Sequence, residues 1–380
     1  MSLLQSLVAA FKGGGPRVPL ARAFASPWFF AEPGGGRQTY EYQRAVRAAY
    51  LDNPVAQRAV RLVAEGIGGA PLLPVDPALQ GLVAATSGGQ SLLETAASQL
   101  LLHGNAFIQV LKDGAGRPVE LFALRPERVT VLAGADGWPE AFGYRAGERS
   151  LTIPLLDGDA SPGLIHVRGF HPADDHYGAG CLAAADRAVA THNAASAWNR
   201  ALLENAARPS GALVHDPGEG GALTPDQFDR LRRELAEAFS GQDNAGRPLL
   251  LEGGLRWQAL SLTPADMDFA TLKAAAARDI ALAFGVPPML LGLPGDSTYA
   301  NYREANRALW RLTLLPLAAK LLGALGEGLA TWFPGERLAI DLDRVPALAE
   351  DRERLWAQVS AADFLSVAEK RALLGLPAQS

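Results

Sequence analysis

The stretch from Ala179 to Ala207 constrains this chain more than any other. It contains no proline and, past Gly180, no glycine, so nothing in it interrupts a helix. At a rise of about 1.5 Å per residue it would span on the order of 40 Å. Its apolar stripe, Leu182, Ala185, Val189, Ser196 and Leu203, is thin, and alanine dominates it. A helix this long with so few large side chains does not make the core of a monomer. The pattern predicts packing against neighbours through small residues.

Two more long helices follow. Thr263-Pro264 is a start signal, with Phe269, Leu272, Ala276, Ile280 and Ala283 along one side and a stop at Gly285-Val286-Pro287-Pro288. After a loop, Asn301 to Phe333 carries Trp310, Leu314, Leu317, Leu321 and Leu325 on one stripe. Pro316 lies inside this helix and predicts a kink there. A compact insert separates the first two helices, opening at Arg208-Pro209. It reads as a strand at Gly211–His215 and a helix from Thr224-Pro225 to Phe239. A hairpin follows, with arms Pro248–Leu251 and Leu255–Leu260 around Gly253-Gly254.

Ahead of the first long helix the signals are mixed. Residues 1–40 hold Gly13-Gly14-Gly15 and Gly34-Gly35-Gly36, a flexible arm behind a short amphipathic helix with Leu3, Leu4, Leu7 and Val8 on one face. Residues 41–68 read as helical, interrupted at Pro54, and Leu92 to Leu102 as another helix. Strand patterns occupy Ala106–Leu111, Val119–Leu124, Val129–Leu132 and Leu164–Val167, a small antiparallel sheet. Past the third long helix come a strand at Leu338–Leu342 and two short helices, Ala347–Val359 and Ser366–Leu374. The fold class is α+β.

Composition removes several functions. The net charge is −5, against the basic character of a protein that grips nucleic acid. Cys181 is the one cysteine, so neither an internal disulfide nor a cysteine-rich zinc site is possible. It sits at a helix start without a His–acid constellation and reads as a small buried residue. The N-terminus lacks the basic region and cleavage site of a signal peptide. The longest uncharged apolar stretch, Ile280–Pro294, is too short for a bilayer, so no membrane is expected. No phosphate loop, nucleophile elbow or H-E-x-x-H motif is present, and no cofactor is expected.

One stretch carries metal-ligand chemistry: His166, His171, Asp174, Asp175 and His176. Its spacing fits no zinc pattern and reads as a polar turn, but a metal-dependent hydrolase built on His166, His171 and His176 stands as the alternative function. Asp266 and Asp268 fall in a helix first turn, where the dipole stabilises them. Arg230, Arg232 and Arg233, balanced by Glu234 and Glu237, read as a solvated helix face. Tyr299-Ala300-Asn301-Tyr302-Arg303 combines aromatic and basic groups that suit nucleic acid.

Several segments together resemble the portal proteins of tailed double-stranded DNA phages, in the smaller form found in siphovirus-like phages, prophages and gene transfer agents. They are Leu102-His103-Gly104-Asn105-Ala106-Phe107, Leu124-Arg125-Pro126-Glu127-Arg128-Val129, and Asn244-Ala245-Gly246 ahead of Leu249–Gly254. The most specific is Asp279 to Gly292, containing Phe284-Gly285-Val286-Pro287-Pro288, with Thr298-Tyr299-Ala300-Asn301 and Thr313-Leu314-Leu315-Pro316 downstream. The resemblance covers about residues 40–345.

That family forms rings, usually of twelve subunits, at one capsid vertex. The resemblance implies an N-terminal arm (1–25), a wing (26–178), a first stem helix (179–207), a clip (208–262) and a second stem helix (263–285). A tunnel loop (286–300), a long helix with a returning wing strand (301–346) and a reduced crown (347–380) complete the protomer. It further implies Leu293, Pro294, Gly295, Asp296, Ser297, Thr298 and Tyr299 as the tunnel loop at the DNA channel. Lys273 and Arg278 would face the channel from the stem, and Arg230, Arg233, Glu237 and Arg247 would dock partners on the clip. The implied partners are double-stranded DNA passing through without sequence preference, the large terminase, a head–tail adaptor and the major capsid protein. Assembly in a bacterial cytoplasm and residence in the virion follow. Small stem residues suit a ring, and twelve copies would carry about −60, which disfavours sticking to DNA. Another virion protein, such as an adaptor, is the further alternative; the helix–clip–helix–loop–helix order argues against it.

Overall fold

The computed structural model describes residues 36–87, 89–158, 160–204, 211–215, 224–239, 255–259, 269–293 and 299–376. Contacts divide the chain into two compact units, one of residues 1–184 with 281–380 and one of residues 185–280.

The larger unit opens with helix α1 (Gly36–Val46), a π turn at Arg47–Leu51, and α2 (Pro54–Gly68). Asn53 caps α2, accepting hydrogen bonds from the amides of Val55 and Ala56, and Pro54 takes the first helical position. A short helix, α3 (Pro77–Ala84), has the same chemistry, with Asp76 as cap and Pro77 first. A two-residue hairpin, β1 (Thr86–Ser87) and β2 (Gln90–Ser91), leads into α4 (Leu92–His103).

Two three-stranded antiparallel sheets follow. The first has β3 (Asn105–Lys112) in the centre, between β4 (Pro118–Leu124) and β8 (Leu164–Arg168). The second orders β5 (Val129–Ala133), β6 (Pro139–Ala146) and β7 (Arg149–Pro154). Phe107, Leu124 and Leu164 of the first meet Val129, Phe142 and Ile153 of the second in one buried cluster. The rings of Phe107 and Phe142 lie edge to face at 5.9 Å. The sequence reading anticipated one small sheet and missed β6 and β7.

A helical layer completes this unit. Tyr299–Leu309 forms α8, Trp310–Leu314 a π turn, and Leu315–Leu329 helix α9. Leu321, Leu325 and Leu329 of α9 are fully buried, as are Ala59 and Val63 of α2 and Ala96 and Ala97 of α4. The run Tyr299–Leu329 is long and apolar enough to cross a membrane by length and composition alone. Its leucine face is core here, and its charged residues, Arg303 to Lys320 among them, break it into uncharged stretches too short to span a bilayer. Gly328 is required by this packing, since a Cβ there would meet Ile165 at 2.5 Å.

The expected strand at Leu338–Leu342 is a correction. The segment makes a single bridge, Leu72 to Ile340, with hydrogen bonds from the amide of Leu73 to the Ala339 carbonyl and from that of Asp341 to the Pro71 carbonyl. Its neighbour, Pro71–Leu73, is too short to build a ladder. The chain closes with α10 (Ala349–Ala361) and α11 (Val367–Leu374), the latter behind a Ser366–Glu369 capping box.

The smaller unit contains most of α5 (Cys181–Glu204) and of α7 (Phe269–Ala283), with α6 (Pro225–Phe239) between them in sequence. Strands β9 (Gly211–His215) and β10 (Leu255–Ala259) pair antiparallel in full register. The expected hairpin placed Leu255–Leu260 against Pro248–Leu251. The observed partner of β10 is β9, and residues 248–251 lie outside the described residues. Thr224 caps α6 reciprocally with Gln227, each side chain bonding the other's backbone amide at 3.4 and 2.9 Å.

Candidate functional site

The segment His103-Gly104-Asn105 builds the junction from which α5 departs. Gly104 ends α4 with φ of 84°, a left-handed conformation suited to glycine. The chain segments here lie backbone on backbone. A Cβ on Gly104 would meet the Ala179 carbonyl carbon at 2.4 Å, and one on Gly178 the Gly104 oxygen at 2.2 Å. Glycine is needed on both sides of this contact.

Asn105, fully buried, is the hub. Its Oδ1 accepts from the Gly178 amide at 2.7 Å and from His166 Nε2 at 3.0 Å. Its Nδ2 donates to the Gly178 carbonyl at 3.1 Å and faces His103 Nδ1 at 3.1 Å. Because Oδ1 only accepts and Nδ2 only donates, His103 Nδ1 carries no proton and His166 Nε2 carries one, and burial keeps both rings neutral. Their surroundings agree. Burial holds His103 down to about 4. Burial, then Arg168, His103 and His176, brings His166 to about 3. His166 also stacks on Phe107, with centroids 4.2 Å apart.

The histidine triplet therefore does not form a metal site. His166 is committed to Asn105, and His171 Nδ1 accepts from the Ala173 amide at 3.1 Å. Among the described residues no three His, Cys, Asp or Glu side chains come together to hold a metal ion. Asp174 uses one oxygen to cap its own turn, accepting from the amides of His176 and Tyr177. Cys181 is partly buried and its thiol is pushed up by burial, the opposite of an activated nucleophile.

The second locus is the base of the 286–300 loop. Gly285 ends α7 with φ of +65°, and Thr313 Oγ1 in the π turn donates to its carbonyl at 2.6 Å. Phe284 and Val286 on either side are buried. After a 3₁₀ turn at Pro288–Leu291, Leu293 is half-buried; Pro294, Gly295, Asp296, Ser297 and Thr298 lie outside the described residues. The chain resumes at Tyr299, 78% exposed, with the Arg303 guanidinium 5.9 Å from its ring centroid.

From there α8 presents an arginine row to α10. Arg303 and Arg307 both pair with Glu350, the latter at 2.8 Å; Arg307 also reaches Asp351 at 3.5 Å and Arg311 reaches it at 3.9 Å. Tyr299 and Arg303 thus fall at the loop's return point and in an ion-pair network, which the sequence reading had not foreseen. The row repeats at i, i+4 and i+8, a spacing visible in the sequence; the acidic partners on α10 lie forty or more residues away. Where Pro316 predicted a kink, the structure has the π turn Trp310–Leu314, with Pro316 in the first turn of α9. A proline amide cannot donate to the preceding turn, and a widened turn accommodates that loss.

In the smaller unit Lys273 is half-buried and Arg278 exposed, its guanidinium donating to the Ala274 carbonyl at 3.3 Å. His192, buried, is held below its ordinary value by burial and by Lys273. The rings of Trp198 and Phe269 join α5 to α7 at 5.6 Å. Arg230 and Arg233 are exposed on α6. Glu237 lies on the same helix, its side chain outside the description, and Arg247 lies outside the described residues.

This arrangement, a double-sheet unit giving rise to a long helix, a glycine-anchored loop and a helix broken by a π turn, has known counterparts. Residues 54–375 match the phage portal protein family, and the chain belongs to it. Over its whole length it is similar to a chain of the native gene transfer agent particle. The same likeness holds for the neck of that particle computed with C12 symmetry, at 44% identity, all of both chains covered and a TM-score of 0.67. A Rickettsia felis protein of uncharacterised function is 40% identical over 347 residues, covering 87% of this chain and 88% of its own. The probable portal protein of Streptomyces phage phiC31 is 29% identical over 224 residues, covering 57% of this chain and 47% of its own.

Proposed function

We propose that this chain forms the portal ring at one vertex of a phage or gene-transfer-agent capsid, the channel through which double-stranded DNA is packaged and released. The observation that carries the reading is the full-length likeness, at 44% identity, to a chain in a particle neck computed with C12 symmetry. The role is structural and the chain resides in the virion. Residues 26–178 and the extended segment near Leu338–Leu342 act as the wing, α5 and α7 as stem helices, and residues 208–262 as the clip that meets the large terminase and then the head–tail adaptor. Residues 347–380 are a reduced crown, and the wing sits against the major capsid protein.

The physical features fit these parts. A channel must let DNA slide, and a chain of net charge −5 offers it little to adhere to. A loop at that channel needs rigid anchors, which Gly285–Thr313 supplies on one side and the Tyr299–Arg303–Glu350 network on the other. Lys273 and Arg278 supply isolated positive rings in the stem; Arg230, Arg233, Glu237 and Arg247 present charge for docking on the clip. The experiment is particle assembly with this gene deleted. The reading expects capsids without nuclease-protected DNA, restored by the chain supplied in trans. Normal DNA content in the deletion would overturn it.

A further inference from the structure

A groove of about 570 Å³ runs along α9, between that helix and the segment 336–342. Leu315, Leu322, Leu338 and Ile340 give it an apolar floor, and Glu327 and Glu336 stand among its lining residues. Its helix side is small: Ala319, Gly323, Gly326 and Ala330 recur at helical spacing. The protomer's own packing does not demand the two glycines. A Cβ at Gly323 or at Gly326 meets nothing within 4 Å, whereas one at nearby Gly328 collides with Ile165. Glycine inside a helix disfavours it, and among the described residues no contact offsets that.

We infer that this groove receives the N-terminal arm of this chain, the apolar face formed by Leu3, Leu4, Leu7 and Val8. In helical spacing those four residues would share one side, and four aliphatic side chains are a fitting load for an apolar groove of this volume. Small residues on α9 let a second helix approach closely. Lys12, one turn past the apolar face, suits a rim that holds Glu327, Glu336 and Arg337 and is net negative, Glu336 also accepting from the Asp76 amide. Reach is no obstacle. Residues 9–35, which include Gly13-Gly14-Gly15 and Gly34-Gly35-Gly36, connect the apolar face to the start of α1, and at ~3.3 Å per residue they span up to about 90 Å. That length serves a groove on the same protomer or on the next one in a ring.

The test is hydrogen–deuterium exchange on the full-length chain, with Gly323→Trp and Leu4→Asp/Leu7→Asp variants measured beside the parent. Gly323→Trp fills the groove at a position with free space, so the fold stays intact, as unchanged protection in α2 and α4 will verify. In the parent, amides 3–8 are expected to exchange at least tenfold more slowly than those of Gly13–Gly15, and α9 to be protected along 319–330. Both variants are expected to bring residues 3–8 to the unprotected rate. A Leu7→Cys/Gly326→Cys pair is expected to form a disulfide on oxidation, within one chain or between two, either of which supports the inference. Full exchange of residues 3–8 in the parent, or protection that survives Gly323→Trp, would overturn it. Native mass measured on the same samples keeps the portal reading separate: a ring with an unprotected arm sinks this inference and leaves that reading intact.

Discussion

At the scale of single residues, Asn105 carries the most weight. Its amide satisfies a buried amide and carbonyl on Gly178 and orders two neutral histidines. Asn105→Ala leaves these groups unpaired in the interior and is expected to cost about 2–4 kcal/mol, read as a lowered denaturation midpoint. A loss under about 0.5 kcal/mol would contradict the hub assignment. The histidines set a pH dependence whose sign is fixed. The unfolded chain takes up protons near the ordinary 6.5, but folded His103 and His166 resist until about 4 and 3. Stability is therefore complete above about pH 6.5 and falls progressively as the pH drops toward 3. Denaturation midpoints measured between pH 7 and 4 should decline, and more shallowly in a His103→Gln/His166→Gln variant. An equal slope in the two would contradict the assignment. The Gly-Asn-Ala-Phe segment was visible in the sequence; its purpose was not, because Gly178 lies 73 residues further on. Proximity along the chain grouped His166 with His171 and His176. The fold also joins His166 to His103 through Asn105, by a strand pairing that no local pattern reveals.

At the scale of elements, helix type and order were legible because long apolar stripes and cap residues are local signals. The caps at Asn53-Pro54, Thr224-Pro225 and Ser366 appear where the chemistry requires. Asp76-Pro77 is an equally good cap that the reading passed over, because α3 is only eight residues long. Strands β6 and β7 were missed for a different reason. Their burial alternates weakly, with exposed Glu140, Arg145, Arg149 and Leu151, since one face of that sheet is open. The arginine row between α8 and α10 is a tertiary feature. Arg307 is 16% exposed and touches Glu304, Glu350 and Asp351. A double-mutant cycle on Arg307 and Glu350 is expected to give a coupling of about 0.5–1 kcal/mol at low salt, shrinking as ionic strength rises. A coupling of zero at low salt would show that this pair does nothing to hold α10.

For the whole molecule, the long alanine-rich helix already indicated a protein completed by its neighbours, and the segments around Asn105 and Phe284–Pro288 indicated which family. What the sequence could not display was the anchoring of the loop, because Gly285 and Thr313 are 28 residues apart and meet only through a π turn. On the proposed reading, Lys273 and Arg278 would form circles of positive charge in a ring of otherwise acidic subunits. Lys273→Gln/Arg278→Gln particles are expected to package or retain less DNA than the parent, measured as nuclease-protected DNA per capsid; unchanged DNA content would remove both residues from the channel. The central claim is the ring itself, and native mass spectrometry of the purified chain with negative-stain imaging of the same sample tests it most directly. Twelve copies of a 40.1 kDa chain predict a particle of about 481 kDa with a central hole. A compact dimer without a hole would contradict the account.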